Sequence, residues 1–404
     1  MTRATYLDHG ATTRVRPEAV AAMTDELARL GNPSSLHGAG RAARTRLEEH
    51  REVIAEALGA TPSEVVVTSG GTESDNLAVI GTYRRRRRED PRRTRVLISV
   101  LEHSAVIDSA EYLLAHEGAE VTWVECDHEG IISPESFRAA LMEAGGPEAV
   151  AVVSIMWVNN EIGVVQDIPA LAGVAHEYGI PFHTDAVQAV GHIPVHFESS
   201  GVDLMTVTGH KLGGPPGVGL LLARRDAPVE AISFGGGQER RIRSGTLSVH
   251  LVAGLAAAIP VAVAQTEESA ARLTVLRDAL LTGILERVPG AVVTGAWAPG
   301  DRTRRSPANA HVLVPECEGD SLLFLLDAAG IACSTGSACH AGVPRPSHVV
   351  LALGHPEDLS SGAIRLTLGH DSTREDVDAV LSVVGGCVER ARRAWRAGQA
   401  RKAG

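Results

Sequence analysis

The chain has 404 residues, enough for two domains or for one large domain with an appendage, and its 44% hydrophobic content fits a soluble globular protein. A net charge of −11 argues against nonspecific nucleic-acid binding over the whole surface, and no apolar run reaches membrane-spanning length. The opening MTRATYLDHGATT lacks the apolar core of a signal peptide, so the expected location is cytoplasmic.

In chain order, YLDHGATT reads as a short opening loop, and 17–30 as a helix stopped by Gly31. In the loop GNPSSLHGAG, small residues permit close backbone approach to a ligand that Asn32 and His37 could contact; simple turn chemistry explains them equally well. A charged amphipathic helix over 41–58 leads into EVVVTSGGTESDNLAVIGTY, where three valines make a strand, SGGT a turn, and Glu73 onward a helix. Free amides at that helix start, with the Thr72 hydroxyl, suit a phosphate. The motif is neither a Walker loop, since no GK[ST] follows, nor the GxGxxG fingerprint. The arginines at 84–88 read as a solvated helix end, with docking of an acidic partner or RNA as the alternative.

RVLISVLEHSAV supplies a strand and puts His103 at a helix start, where an imidazole could lie over a flat ring or move protons. EVTWVECD is another strand, and AVAVVSIMWVNNEIG a longer buried one ending in Asn159, Asn160 and Glu161, whose amides could orient a ring substituent or cap the next helix. A helix at 168–178 and strands at 180–183, 204–208 and 217–222 complete an alternation that predicts a mainly parallel sheet with helices on both faces. Asp185 follows one of these strands, and Thr208, His210 and Lys211 end another; in open α/β sheets such ends line the ligand crevice.

Lys211 is the only lysine outside the polar tail, where Lys402 lies, in a chain that otherwise uses arginine. A guanidinium can replace lysine in most ion pairs but cannot condense with an aldehyde, so a position kept as lysine suggests imine chemistry rather than a surface charge. An aspartate and a lysine at neighbouring strand ends match the demands of pyridoxal phosphate, which needs an imine-forming amine and an anion for its pyridinium nitrogen. Gln188 could bond the ring hydroxyl.

Beyond this point FGGGQERRIRSGT combines backbone freedom with Arg240, Arg241, Arg243 and Thr246, and a long helical region over 251–288 links two domains. NAHVLV, a helix at 319–329, IACSTGSAC and AIRLTLG form a smaller α+β domain. The expected division is a large domain at 16–260 and a small one made of 1–15 and 261–404. Five cysteines (Cys126, Cys317, Cys333, Cys339, Cys387) without CxxC spacing argue against a disulfide framework or closed zinc site, and Pro194 separates His192 from His196; no metal is expected.

The motifs LDHGATT, GNPSS, TSGGTESDN, LEH, VNNEIG, HTDAVQ, TGHK, GGGQE, RSGT, GSAC and IRLTLG occur in the order found in cysteine desulfurases. From about residue 6 to 369 the chain resembles NifS-like members of the class V, fold-type I pyridoxal-phosphate enzymes. The resemblance implies that Lys211 carries the covalent link to the cofactor, Asp185 pairs with its ring nitrogen, Gln188 bonds the ring hydroxyl, and His103 stacks on the ring and moves protons. Gly71, Thr72, Thr208 and His210 would hold the phosphate and Asn160 the ring. Thr246 would serve the phosphate of a second subunit, which implies a homodimer. Arg365 would clamp the substrate carboxylate with Asn32 nearby.

By the same resemblance Cys339 would occupy the nucleophile position, on a mobile loop, with His103 and His340 as candidates to favour its thiolate; Cys333 is expected to be buried. The implied activity takes sulfur from L-cysteine, leaves L-alanine, and passes persulfide from Cys339 to an acceptor protein, such as an iron–sulfur scaffold or a tRNA-thiolating enzyme, with no membrane or direct nucleic-acid partner. GGTES and ACH also resemble selenocysteine lyases, and a non-catalytic sulfur-transfer scaffold is a further alternative. Gly10 stands where the family usually has alanine, and Thr208 where serine is common.

Overall fold

A computed structural model describes residues 5–143, 145–336 and 346–403. A two-residue strand, β1 (Thr5–Tyr6), precedes α1 (Pro17–Leu27) and α2 (Gly38–Leu58). Pro17 starts α1, where its missing N–H costs nothing. The helix ends at Leu27, short of the Gly31 stop expected from sequence, because its continuation has nothing to pack on: Leu27 is 63% exposed and Leu30 89%. Conversely, α2 begins three residues early because His37 Nδ1 accepts a hydrogen bond from the Gly40 amide. His37 is thus a helix cap.

The alternation continues through β2 (Val65–Thr68), α3 (Gly71–Glu89), β3 (Arg95–Ser99), α4 (Ser104–Glu117), β4 (Glu120–Val124), α5 (Pro134–Leu141), β5 (Val150–Ser154), α6 (Ile168–His176), β6 (Phe182–Asp185), α7 (Phe197–Ser200), β7 (Leu204–Thr208) and β8 (Gly219–Ala223). These strands form one seven-stranded sheet in the order β2-β8-β7-β6-β5-β3-β4. The run from β7 to β4 is parallel, and β8 lies antiparallel to both its neighbours. Every residue of β2, β3, β5, β6, β7 and β8 is buried, as sheets covered on both faces require.

Two elements differ from expectation. The long buried strand ends at Ser154, earlier than expected, and five residues on the side chain of Asn159 accepts from the amides of Glu161 and Ile162 and turns the chain back. The helical region over 251–288 is two helices, α8 (Val249–Ala264) and α9 (Thr266–Arg287), bent by 68°. Val252, Leu255 and Ile259 of α8 belong to the core around the large sheet, whereas Leu273, Leu280 and Ile284 of α9 belong to a second core. One straight rod cannot serve both. Among the described residues no single helix is long and apolar enough to cross a membrane.

The second core is built on β9 (Val292–Val293), β10 (Asn309–Leu313), α10 (Gly319–Ala328), β11 (Ile331–Ala332), β12 (Ala363–Thr367) and α13 (Arg374–Ala403), while the short helices α11 (His348–Ala352) and α12 (Glu357–Ser360) pack in smaller clusters of their own. β10 pairs antiparallel with β12 and β9, while β1 returns from the N-terminus to pair with β11, carrying Leu7 into this core. Of the arginines at the end of α3, Arg85 pairs with Glu89 one turn away, while Arg84 reaches Glu117 of α4 and Arg88 reaches Glu230.

Candidate active site

Because β6 and β7 are adjacent and parallel, their C-terminal ends bring Asp185 and Lys211 to one edge of the sheet, three residues of tight turn (Gly209–Lys211) completing the delivery of the lysine. Both line a cavity of about 1380 Å³ at that edge. Lys211 Nζ donates to the carbonyls of Gly10 (2.5 Å) and Ala11 (2.6 Å), residues of the opening loop. Burial, reinforced by Arg365, pushes its ammonium down to about 8, against the opposing pull of Asp8 and Asp185. A sizeable fraction of free amine at neutral pH follows, as an imine-forming lysine requires.

Asp185 is 5% exposed and accepts from the Val187 amide at 2.8 Å. Burial raises its carboxyl, opposed by His103, the Val187 amide and Lys211. Gln188 Nε2 donates to the same Gly10 carbonyl at 3.0 Å. His103 caps α4, its Nδ1 accepting from the Ala105 amide at 3.1 Å, so the neutral ring carries its proton on Nε2. The helix start therefore dictates which nitrogen can donate.

Gly71 and Thr72, in the first turn of α3, meet Thr208 and His210 on the cavity wall. The TSGG turn can lie flat on β8 only because Gly219 has no side chain: a Cβ there would stand 2.6 Å from the Gly70 Cα. His210 Nδ1 meets Thr12 Oγ1 at 3.3 Å, and burial together with Lys211 pushes the imidazole down to about 4, leaving it neutral. The nearby carboxylate, Glu73, is paired with Arg243 and bonded to the Ser69 amide. Helix amides, hydroxyls and a neutral imidazole at one corner suit a phosphate.

Asn160 and Arg365 complete the wall, joined by Arg365 Nη1 donating to the Asn160 carbonyl at 3.0 Å. The buried acid, the amine near 8, the phosphate corner and the guanidinium fit pyridoxal phosphate and an amino-acid carboxylate. Two expected residues lie apart from the cavity. Asn32 is exposed and closes its own turn, accepting from the Ser34 amide at 2.9 Å. Thr246 is also exposed, on a segment pinned to α3 by the Arg243–Glu73 pair. Cys339 and His340 lie outside the described residues.

Sequence reasoning passed over three buried or half-buried carboxyls here. Asp75 is 1% exposed and its Oδ1 has no hydrogen-bond partner among the described residues. Glu102 is fully buried, with Oε1 accepting from the Ser99 hydroxyl (2.6 Å) and the Met156 amide (2.7 Å). Asp8 pairs with Arg365 at 2.9 Å. Each sits inside a motif already singled out (ESDN, LEH, LDHGATT), but an acidic letter in a motif carries no mark of burial.

Burial pushes the Glu102 carboxyl up to about 8. A group raised above its ordinary 4.5 in the fold binds its proton there while the unfolded chain has released it. Its contribution is full below about 4.5 and is lost as pH rises towards about 8. Glu102→Gln keeps the Oε1 acceptor without the titration. Compared with the unsubstituted protein, its urea stability is expected to gain with pH across that window, up to about tenfold in the folding equilibrium per pH unit, and to stop gaining above it. Urea midpoints at pH 5, 6.5, 8 and 9 check this.

The family described as "Aminotransferase class-V" matches residues 5–380. The chain is 51% identical over 389 residues to the "IscS-like cysteine desulfurase" of Mycobacterium tuberculosis, covering 96% of this chain and 97% of that one. Among solved structures it resembles a "NIFS-LIKE PROTEIN" with a TM-score of 0.85 and 32% identity, covering 96% and 99% of the two chains. It also resembles "SspA in complex with cysteine", with a TM-score of 0.75 and 29% identity over 90% and 98%.

Proposed function

Because the chain belongs to the class-V aminotransferase family, we propose that it acts as a pyridoxal-phosphate-dependent cysteine desulfurase, taking sulfur from L-cysteine and leaving L-alanine. The observation that carries this is the buried Asp185 carboxyl and the Lys211 amine, held near 8, at adjacent strand ends of one cavity. When bound, pyridoxal phosphate supplies an aldehyde for the amino group and an electron sink for the Cα carbanion. With it in place Asp185 would support the ring nitrogen, Gln188 and Asn160 would orient the ring, and His103 would present Nε2–H to it. Gly71, Thr72, Thr208 and His210 hold the phosphate.

Arg365 binds the substrate carboxylate, and the free amine of Lys211 takes the Cα proton. The Cys339 thiolate attacks the substrate sulfur, forming the S–S bond of a persulfide as the C–S bond breaks; the electron pair stays on the carbon skeleton, which leaves as alanine after protonation. The sulfur then passes to a thiol of an acceptor protein in the cytoplasm, an iron–sulfur scaffold or a tRNA-thiolating enzyme. A homodimer completes the site. Its support is the exposure of Leu27, Leu30, Leu36 and Phe234, large apolar side chains that the single chain leaves uncovered, and Thr246 standing away from the cavity of its own chain.

The test supplies the purified protein with pyridoxal phosphate and 35S-cysteine and follows alanine, keto acid and protein-bound label. Alanine formed with label bound to the protein, releasable by dithiothreitol, is the expected result. A keto acid in place of alanine defines an ordinary aminotransferase and sinks the proposal.

A further inference from the structure

We propose that Asp8 is a positioning residue that holds Arg365 ready for the substrate carboxylate. The inference rests on the proposed role of Arg365. Arg365 is 5% exposed, and a guanidinium taken from water needs both a counter-charge and a fixed place. Asp8 Oδ1 receives a hydrogen bond from Nη2 at 2.9 Å, and the Asn160 carbonyl receives one from Nη1 at 3.0 Å. A guanidinium has five N–H groups, so among the described residues two are used and three remain. One of these is the Nε–H, which is buried and has no partner among the described residues. A carboxylate needs two such donors to be bound as a fork.

Both ends of the ion pair are fixed by backbone. The Asp8 carbonyl accepts from the Ala11 amide (2.9 Å) and the Tyr6 hydroxyl (3.1 Å), and Asp8 bridges to Thr367 of β12. Arg365, in the same strand, exchanges backbone hydrogen bonds with Ser334 at 2.7 and 3.1 Å. Two residues on from Asp8, a Cβ on Gly10 would stand 3.5 Å from the Arg365 Cζ and 3.1 Å from Thr367 Cγ2. Glycine at this position leaves the flank of the guanidinium clear. A long side chain immobilised before the ligand arrives pays its ordering entropy in folding and not in binding, which is how Asp8 acts on affinity without touching the substrate.

The experiment measures calorimetric binding of 3-mercaptopropionate, which has the carboxylate and thiol but no amine, and of cysteamine, which lacks the carboxylate, to the pyridoxal-phosphate-loaded enzyme. Asp8→Ala is expected to weaken 3-mercaptopropionate at least about tenfold, as loss of a hydrogen bond to a charged group implies. It should raise KM for cysteine in step, with kcat changed by less than about threefold, and leave cysteamine binding as it was. Asp8→Asn keeps an acceptor for Nη2 and restores 3-mercaptopropionate to within about threefold of the parent. Should Asp8→Ala fail to fold, Asp8→Ser, too short to reach Nη2, carries the same expectation. Unchanged binding of 3-mercaptopropionate in Asp8→Ala overturns the inference, and so does an equal loss for cysteamine. Arg365→Gln separates the two levels: if it leaves 3-mercaptopropionate unaffected, the carboxylate-clamp role itself is wrong, whereas a large loss there with an inert Asp8 removes Asp8 alone.

Discussion

Lys211→Arg is expected to abolish alanine formation from cysteine, lowering the rate by at least about 10²–10⁴-fold, the range associated with a lost acid–base group alone. Arginine keeps the positive charge and can still donate to the Gly10 and Ala11 carbonyls that Lys211 Nζ now contacts at 2.5 and 2.6 Å. What it lacks is a releasable proton: its guanidinium stays charged at any pH the protein survives, whereas burial beside Arg365 has brought the Lys211 amine down to about 8. The substitution therefore separates charge from nucleophilicity at one position. Borohydride reduction of the loaded protein followed by peptide mapping should place a pyridoxyl adduct on Lys211 in the parent and nowhere in the variant. Lys402→Arg, at the other lysine of the chain, should leave both readouts unchanged. Alanine formation within about tenfold of the parent in Lys211→Arg would remove the basis of the proposed chemistry.

The second large effect is expected at Cys339. Cys339→Ser should eliminate protein-bound 35S and reduce alanine formation at least about 10²-fold, while Cys333→Ser, only six residues away in sequence, should keep both within about threefold. The contrast comes from the cysteines that the structure describes. Cys126 is half-buried among apolar neighbours and its thiol is pushed up to about 11, with Asp127 and Glu125 adding to the burial. Cys333 is buried and pushed up to about 12, with Asp8 and Asp327 reinforcing the effect. Burial also raises Cys317, and Cys387 is packed in the second core. A thiol near 12 holds about one thiolate in 10⁵ at neutral pH, too little to attack sulfur at a useful rate. All four are free, so none is removed from consideration by a disulfide; their environments remove them. Retention of bound label in Cys339→Ser, or its loss in Cys333→Ser, would reassign the nucleophile.

Much of the site was legible in one dimension because its chemistry depends on residue types that cannot be exchanged. A lone internal lysine, an aspartate at the end of an apolar run and a glycine pair opening a helix are each readable where they stand, and the alternation of strands and helices brings them to one sheet edge. Element ends were less legible. His37 extends α2 because its ring happens to face the Gly40 amide, and Asn159 reverses the chain by a side-chain turn, both matters of local geometry that residue type alone leaves open. The bend between α8 and α9 depends on which core each helix covers, and apolar periodicity says only that a face is buried.

The residue types and their order were sufficient for the α/β class, the cofactor chemistry and the identities of Lys211 and Asp185, because these follow from short-range pattern and from bonds that only certain side chains can form. Only the tertiary structure decided that Asp8 and Arg365, 357 positions apart, form one pair, and that Glu102 and Asp75 are sealed from water while Asn32 and Thr246 are not. It alone set the Lys211 amine near 8 and the Cys333 thiol near 12. Burial and through-space charge are sums over neighbours brought together by chain closure, and no local stretch of sequence contains those neighbours.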